Sequence, residues 1–259
     1  MKWTLYDMAG YSGKPTPLSP GIVRGKIYYE NQFFPTEDHS QAPPMGARQA
    51  IASHAIAQGL PPGTPYCIDI EVWKTYTVGG GDTVALADAK VELQKYIDTL
   101  TTIQTLSPTL QWGYFGATLP MEDGFYAIST SPLDSDIRGA QYQKMVLQRK
   151  LAALCDILFP SCYTYSASEK EWLASFRLTM KMCRELSQSC RVLPFLWPQY
   201  VNGEQFIPAT LWRAQLEACY EMAGGAVIWG KSATTWADAA SADWWAETQA
   251  FLSEKGLAA

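Results

Sequence analysis

The sequence has few of the residues that metal centres and nucleic-acid surfaces require. Only two of its 259 residues are histidines, and none of its six cysteines forms a Cys-x-x-Cys pair. A structural zinc site is built from such residues, so no metal is expected. Lysine and arginine total 20 against 25 aspartates and glutamates, a net charge of -5. This balance argues against nucleic acid as a partner.

The sequence also lacks long apolar runs and nucleotide-binding loops. No stretch approaches the ~18 apolar residues of a membrane span, so no membrane association is predicted. Residues 1–7 hold no apolar run typical of a secretion signal. We therefore expect a protein that stays where it is made, leaves by another route, or has had its signal removed. Neither residues 8–13 nor residues 78–82 have the spacing of a dinucleotide or phosphate loop, and no cofactor is predicted.

Short apolar runs alternate with longer amphipathic stretches, an order that predicts parallel strands joined by helices. The predicted strands are residues 3–7, 26–30, 66–72, 110–116, 157–163, 192–197 and 226–230. The predicted helices are residues 46–58, 83–105, 135–155, 168–187, 208–222 and 240–255. We therefore predict an α/β fold in which residues 1–259 form a single, distorted TIM-like (β/α) barrel of about seven parallel strands. A doubly wound sheet is the alternative, but it normally carries a phosphate turn after its first strand.

The third predicted strand carries two acids in an otherwise apolar run. Because strand side chains alternate between faces, Ile68, Ile70 and Val72 are predicted to face the helices. Cys67, Asp69 and Glu71 then point into the barrel, at the strand end where barrel enzymes place their chemistry. Two like charges this close resist double ionisation, so one acid should hold a proton near neutral pH. Glu71 is the predicted proton donor, and Asp69 stays charged or shares the proton.

A structural interpretation of these acids is the alternative. In that case they pair with basic residues in a network, and the candidates nearest other strand ends are Lys26, Arg191 and Lys231. Acids on an apolar strand are costly to bury unless they are paired or functional. The sequence therefore favours a catalytic role.

Aromatic residues gather at four further predicted strand ends. Each alone is typical of core packing, but their shared location favours a ligand with flat apolar faces, such as a sugar ring. An oligo- or polysaccharide is therefore the predicted substrate. The candidate binding residues are Trp112, Tyr114, Tyr163, Phe195, Trp197, Tyr200 and Trp229.

Several short motifs, in matching order, resemble the hyaluronidase family of glycoside hydrolases. Asp69-Ile70-Glu71-Val72-Trp73 is similar to the Asp-x-Glu-x-Trp motif on the third strand of that family. Segments 112–116, 159–163, 192–194 and 228–230 resemble its Phe-Gly-Tyr-Tyr-Gly, Tyr-Pro-Ser-x-Tyr, Val-Leu-Pro and Ile-Trp-Gly motifs. The resemblance spans residues 25–232 and implies a distorted barrel of seven strands with surrounding helices.

The resemblance also implies a retaining, substrate-assisted endo-glycoside hydrolase that acts on an N-acetylhexosamine-containing polysaccharide. In that mechanism the N-acetyl oxygen of the substrate attacks the anomeric carbon. Glu71 would be the acid and base, and Asp69 would orient the acetamido group. Tyr163 would hydrogen-bond near the acetamide, while Trp229 and Tyr114 would wall the sugar subsites.

The sequence departs from the family pattern at Phe195, where the family usually has tyrosine. Tyr200 or Trp197 would then have to supply the missing polar group. This departure keeps a second interpretation open, a non-catalytic carbohydrate-binding barrel that has lost turnover. The polymer is also open, since a chitin-like or cell-wall glycan suits this acidic chain as well as a glycosaminoglycan does.

Overall fold

The computed structural model describes residues 2–73, 75, 86–116 and 149–258. Within these ranges the strands are β1 (Thr4–Asp7), β2 (Ile22–Arg24), β3 (Lys26–Tyr29), β4 (Pro65–Asp69), β5 (Gln111–Tyr114), β6 (Ile157–Leu158), β7 (Arg191–Val192), β8 (Phe195–Leu196) and β9 (Gly225–Ile228). The helices are α1 (Glu30–Phe33), α2 (Met45–Ala57), α3 (Leu86–Leu106), α4 (Glu169–Leu186), α5 (Ala209–Met222), α6 (Trp236–Ser241) and α7 (Asp243–Glu254), and residues 149–154 are also helical. The protein is therefore mixed α/β, as predicted.

The strands pair in parallel in three sheets, in the orders β2-β1-β9-β8, β3-β4-β5 and β6-β7. Further backbone hydrogen bonds connect these sheets. Gly25, between β2 and β3, donates its N–H to the Asp7 carbonyl at 3.0 Å, and Gly116 donates to the Phe159 carbonyl at 3.0 Å. Because these strand pairs are all parallel, their carboxyl ends lie on the same side of the molecule.

Side-chain alternation divides the buried residues into two clusters. The outer cluster lies between strands and helices and includes Ile68 and Ile70 of the predicted third strand. The inner cluster takes the opposite strand faces and consists of Tyr6, Met8, Ile27, Cys67, Phe115, Ile157, Phe159, Leu193, Phe195 and Val227. Tyr163 and Trp229 pack against the inner cluster and are only partly buried. The predicted alternation of Ile68 and Ile70 against Cys67 is therefore confirmed.

Helix α4 shows how local sequence sets an element. Ser168 caps its first turn by accepting a hydrogen bond from the Glu171 N–H at 3.3 Å, as the Ser-x-x-Glu spacing predicts. Trp172, Phe176 and Met180 recur every four residues and are all buried. This stripe fixes the face that α4 packs against the strands.

Several element bounds differ from the predictions. The strand predicted at 66–72 ends at Asp69, and Val72 is exposed. The strand predicted at 157–163 is reduced to β6, and the helix predicted at 240–255 is α7, with a break from α6 at Ala242. Residues 83–85 and 135–148 of two predicted helices lie outside the described residues. In the described part of the chain, no helix is both long enough and apolar enough to cross a membrane.

Candidate active site

Asp69 and Glu71 lie together at the carboxyl end of β4. Asp69 is the last strand residue, in register with Tyr29 of β3, and is half-buried. Glu71 follows the strand end and is exposed. Burial, together with the negative charges of Glu71 and Glu30, raises the pKa of Asp69 to about 7. Asp69 therefore keeps its proton up to near neutral pH instead of staying charged, beside the negative Glu71.

The basic residues named in the structural interpretation have other neighbours. Lys231 forms an ion pair with Glu204. The Arg191 guanidinium and the Lys26 ammonium lie 5.3 and 5.4 Å from aromatic ring centroids. The charges that shift the pKa of Asp69 are those of Glu71 and Glu30, and both are negative. Asp69 is therefore next to like charges, whereas an ion pair would place a positive charge beside it. Among the described residues, no three His, Cys, Asp or Glu side chains are placed to hold a metal ion.

An aromatic cluster of Tyr163, Trp197 and Trp229 lies beside the acids. Tyr163 and Trp229 are stacked, with centroids 5.4 Å apart and planes at 27°. Trp197 is buried and meets Trp229 edge-to-face at 5.1 Å. Burial and the nearby charge of Asp69 raise the pKa of Tyr163 well above its ordinary value, so its hydroxyl stays protonated. The cluster thus combines apolar ring faces with a neutral hydroxyl next to a carboxyl group.

Tyr29 belongs to this site, although the sequence analysis gave it no role in the site. Its hydroxyl accepts a hydrogen bond from Trp229 Nε1 at 3.1 Å, which joins the end of β3 to the end of β9. Tyr29 as a whole residue is 37% exposed. Burial and the charge of Asp69 raise the pKa of Tyr29, while the bond from Trp229 lowers it. Its position at the end of the second predicted strand was the signal that could have identified it.

Two predicted substrate residues lie in the outer core instead. Trp112 is fully buried, and its Nε1 donates to Ser107 Oγ at 3.0 Å. Tyr114 is fully buried as well, and its hydroxyl donates to the Tyr96 carbonyl at 3.0 Å. Neither ring has a face open to solvent, so we do not include them in the proposed site.

Phe195 and Tyr200 also lie outside the aromatic cluster beside the acids. Phe195 is fully buried in the inner cluster, with its ring 5.0 Å from Phe115 and 5.6 Å from Phe159. Tyr200 is half-buried and packs against the outer cluster. Phe195 therefore supports the base of the site, and neither residue is included among the proposed substrate contacts.

A cavity of about 490 Å³ opens next to Tyr29. It lies between the segment that follows β1 and strand β3, and Asp7, Lys14 and Lys26 are among the residues that line it. Asp7 is buried and forms an ion pair with Lys14 at 2.5 Å. Burial raises the pKa of Asp7, whereas Lys14 opposes that rise. The cavity leaves room for part of an extended ligand beside Tyr29.

Comparisons with family models and with curated proteins find no match. Solved structures do match. The protein is similar to bee venom hyaluronidase in a monoclinic crystal, with a TM-score of 0.64 and 16% identity over 98% of both chains. It is also similar to bee venom hyaluronidase in complex with a hyaluronic acid tetramer, with a TM-score of 0.63 and 16% identity over 96% of this chain and 95% of that one. A GH18 chitinase from Pseudoalteromonas aurantia matches with a TM-score of 0.49 and 15% identity, over 80% of this chain and 67% of that one.

The two bee venom superpositions cover nearly the whole chain. They show that the protein has a hyaluronidase-like fold, and they confirm the resemblance predicted from the short motifs. At this level of identity the comparison concerns the fold, and the chemistry has to be argued from the site itself.

Proposed function

We propose that the protein is a glycoside hydrolase that cuts within polysaccharides containing N-acetylhexosamine. The observation that carries this proposal is the Asp69–Glu71 pair at the carboxyl end of β4, with the pKa of Asp69 raised to about 7 beside an exposed Glu71. A proton held at this pair near neutral pH is what protonation of a leaving sugar requires, and we propose that Glu71, the exposed member, delivers it. The likeness to a hyaluronidase solved with a hyaluronic acid tetramer supports an oligosaccharide as the ligand.

We further propose that the strands form one distorted barrel of seven strands within a single domain, residues 1–259. In this arrangement β2 and β3 are two halves of one strand, and β7 and β8 are two halves of another. The hydrogen bonds that link the three sheets support it, including Phe195 N–H to the Pro160 carbonyl at 2.9 Å. A barrel of this kind gathers all the strand ends around one opening.

The proposed chemistry is substrate-assisted and retaining. The acetamido oxygen of the bound sugar attacks the anomeric carbon, while Glu71 protonates the glycosidic oxygen of the leaving sugar. Glu71 then takes a proton from the water that opens the cyclic intermediate. Asp69 orients the acetamido N–H, and the Tyr163 hydroxyl, neutral at physiological pH, donates to the acetamido oxygen.

The partly exposed rings form the proposed sugar subsite. Trp229 is fixed on one face by Tyr163 and at its Nε1 by Tyr29. Its indole can therefore pack against the apolar face of a sugar without rearranging. Trp197 lies behind Trp229 and holds its orientation, and the cavity beside Tyr29 gives the polymer a path across the site.

A matched set of oligosaccharides tests this function. The wild-type protein is incubated with chitin oligosaccharides, their de-N-acetylated counterparts, hyaluronan oligosaccharides and cello-oligosaccharides, and new reducing ends are measured. We expect release only from substrates that carry the acetamido group. Equal release from the de-N-acetylated counterpart would contradict acetamide participation. Binding without release from any polymer would favour the non-catalytic barrel, the alternative that Phe195 keeps open.

A further inference from the structure

Glu30, the residue that follows β3, reaches across to the backbone of Glu71. One carboxylate oxygen, Oε2, accepts the N–H of Glu71 at 3.3 Å. The other oxygen, Oε1, lies 3.3 Å from His39 Nε2. Both side chains are more than two-thirds buried, with 29% of Glu30 and 28% of His39 exposed. The carboxylate is therefore held from one side by a histidine while it holds the proposed catalytic segment on the other.

The segment around Glu71 lies beyond the strand ladder, so other contacts fix its backbone. Strand β4 ends at Asp69. The Tyr96 hydroxyl of α3 donates to the Ile70 carbonyl at 2.7 Å and lies 3.2 Å from the Trp73 carbonyl. The Trp73 indole N–H donates to the His39 carbonyl at 3.0 Å. These bonds act on either side of Glu71, whereas Glu30 acts on Glu71 itself.

Glu30 also contributes charge at the acid pair. Its negative charge, after burial and Glu71, is the third cause of the raised pKa of Asp69. The described titratable groups around Glu30 include Tyr29, His39, Asp69 and Glu71, with Asp38, Glu92 and Lys95 behind His39. Lys95 donates to the His39 carbonyl at 3.2 Å and thereby supports the loop that holds Glu30.

We infer that Glu30 is a positioning residue for Glu71, because its carboxylate fixes the Glu71 backbone amide and is itself held by His39. The inference rests on the proposed function, which assigns the acid and base role to Glu71. Glu30 contacts no reacting atom. It sets where the Glu71 carboxyl stands relative to Asp69, and its charge strengthens the hold of Asp69 on its proton.

Two substitutions separate the hydrogen bond from the charge. Glu30→Gln keeps an oxygen that can accept the Glu71 N–H but removes the charge, whereas Glu30→Ala removes both. We expect Glu30→Ala to lower kcat by about 10- to 100-fold with little change in KM, because a misplaced catalytic group loses its alignment. We expect Glu30→Gln to retain most of kcat and to move the pH profile to lower pH, because one negative neighbour of Asp69 is gone. Glu185→Gln, an exposed acid in an ion pair with Lys181 on α4, is the matched control and should behave as wild type.

A measurement that does not depend on turnover distinguishes failure of this inference from failure of the proposed function. Hydrogen exchange of the Glu71 amide, followed by NMR, should be faster in Glu30→Ala than in wild type and nearly unchanged in Glu30→Gln. If no substrate is cleaved but the amide responds in this way, the proposed function fails and the Glu30 contact stands. Wild-type kcat together with unchanged Glu71 exchange in Glu30→Ala would overturn the inference.

Discussion

The charged form of Asp69 is destabilised in the native state, because the residue is buried beside other acids. Its carboxyl is half-buried near Glu71 and Glu30, and its pKa rises from the ordinary 3.8 to about 7. The native state therefore binds this proton more tightly than the unfolded chain does. Stability from this group is fully present below about pH 4 and is lost as the pH rises to about 7.

The substitution Asp69→Asn should remove the loss of folding stability that Asp69 causes as the pH rises. We expect it to raise the free energy of unfolding at pH 8 by at most about 4 kcal/mol, and by less where water reaches the carboxyl. At pH 3 the variant and the wild type should be nearly equal, because Asp69 is then largely protonated in both the native and the unfolded states. Urea unfolding at the two pH values measures the difference, with Asp98→Asn on the exposed face of α3 as control. The raised pKa is contradicted if the Asp69→Asn effect is the same at both pH values.

How far single residues could be predicted depended on strand register. Asp69 stands at a strand end as predicted, whereas Tyr163 lies beside the acids although β6 ends at Leu158. Trp112 was misplaced because Gly113, its neighbour, is the β5 residue in register with inward-facing Cys67. The face that a strand residue takes follows from its partner strand, and one sequence does not contain that register.

Tyr29 and Glu30 were missed for a related reason. Their contacts with Trp229 and Glu71 join segments that are 200 and 41 residues apart in the chain. Periodicity and capping patterns describe neighbours within a few residues. Contacts at such separations follow from the packing of whole strands.

Helices were predicted more closely than strands. Helix α4 begins and ends within one residue of its predicted bounds, because its cap and apolar stripe are local signals. The strands predicted at 157–163 and 192–197 are interrupted near Pro160 and Pro194, which carry no N–H for the ladder. The predicted strands at 157–163 and 192–197 are therefore short in the structure, and isolated backbone hydrogen bonds continue the pairing beyond each proline.

Gly113 allows β5 and β6 to approach closely. A Cβ atom there would stand 1.9 Å from the Ile157 carbonyl oxygen. We expect Gly113→Ala to lower the free energy of unfolding by about 1–3 kcal/mol, because the strands must move apart. Gly46→Ala in α2, where a Cβ meets nothing within 4 Å, is the control and should be neutral or stabilising by up to about 1 kcal/mol. Urea unfolding measures both, and a Gly113→Ala variant as stable as wild type would argue against this close approach.

The whole molecule brings the candidate site together from widely separated strands. Tyr29 ends β3, Asp69 ends β4, and Trp229 follows β9, yet all three lie at the same edge because their strands run parallel. The hyaluronidase-like fold supplies this arrangement, and the acids at its edge supply the proposed chemistry. At 16% identity the fold is shared, while the reaction has to be measured on this chain.

The most direct measurement compares turnover and binding in Glu71→Gln, using the oligosaccharide that the wild type cleaves best. We predict that kcat falls by about 10²- to 10⁴-fold, because the amide has no proton to donate to the leaving sugar. We predict that Kd for the same oligosaccharide stays within about two-fold, because the amide occupies the same space. Glu185→Gln, an exposed acid on α4 that pairs with Lys181, is the control. Wild-type turnover by Glu71→Gln would contradict the assignment of Glu71 as the acid.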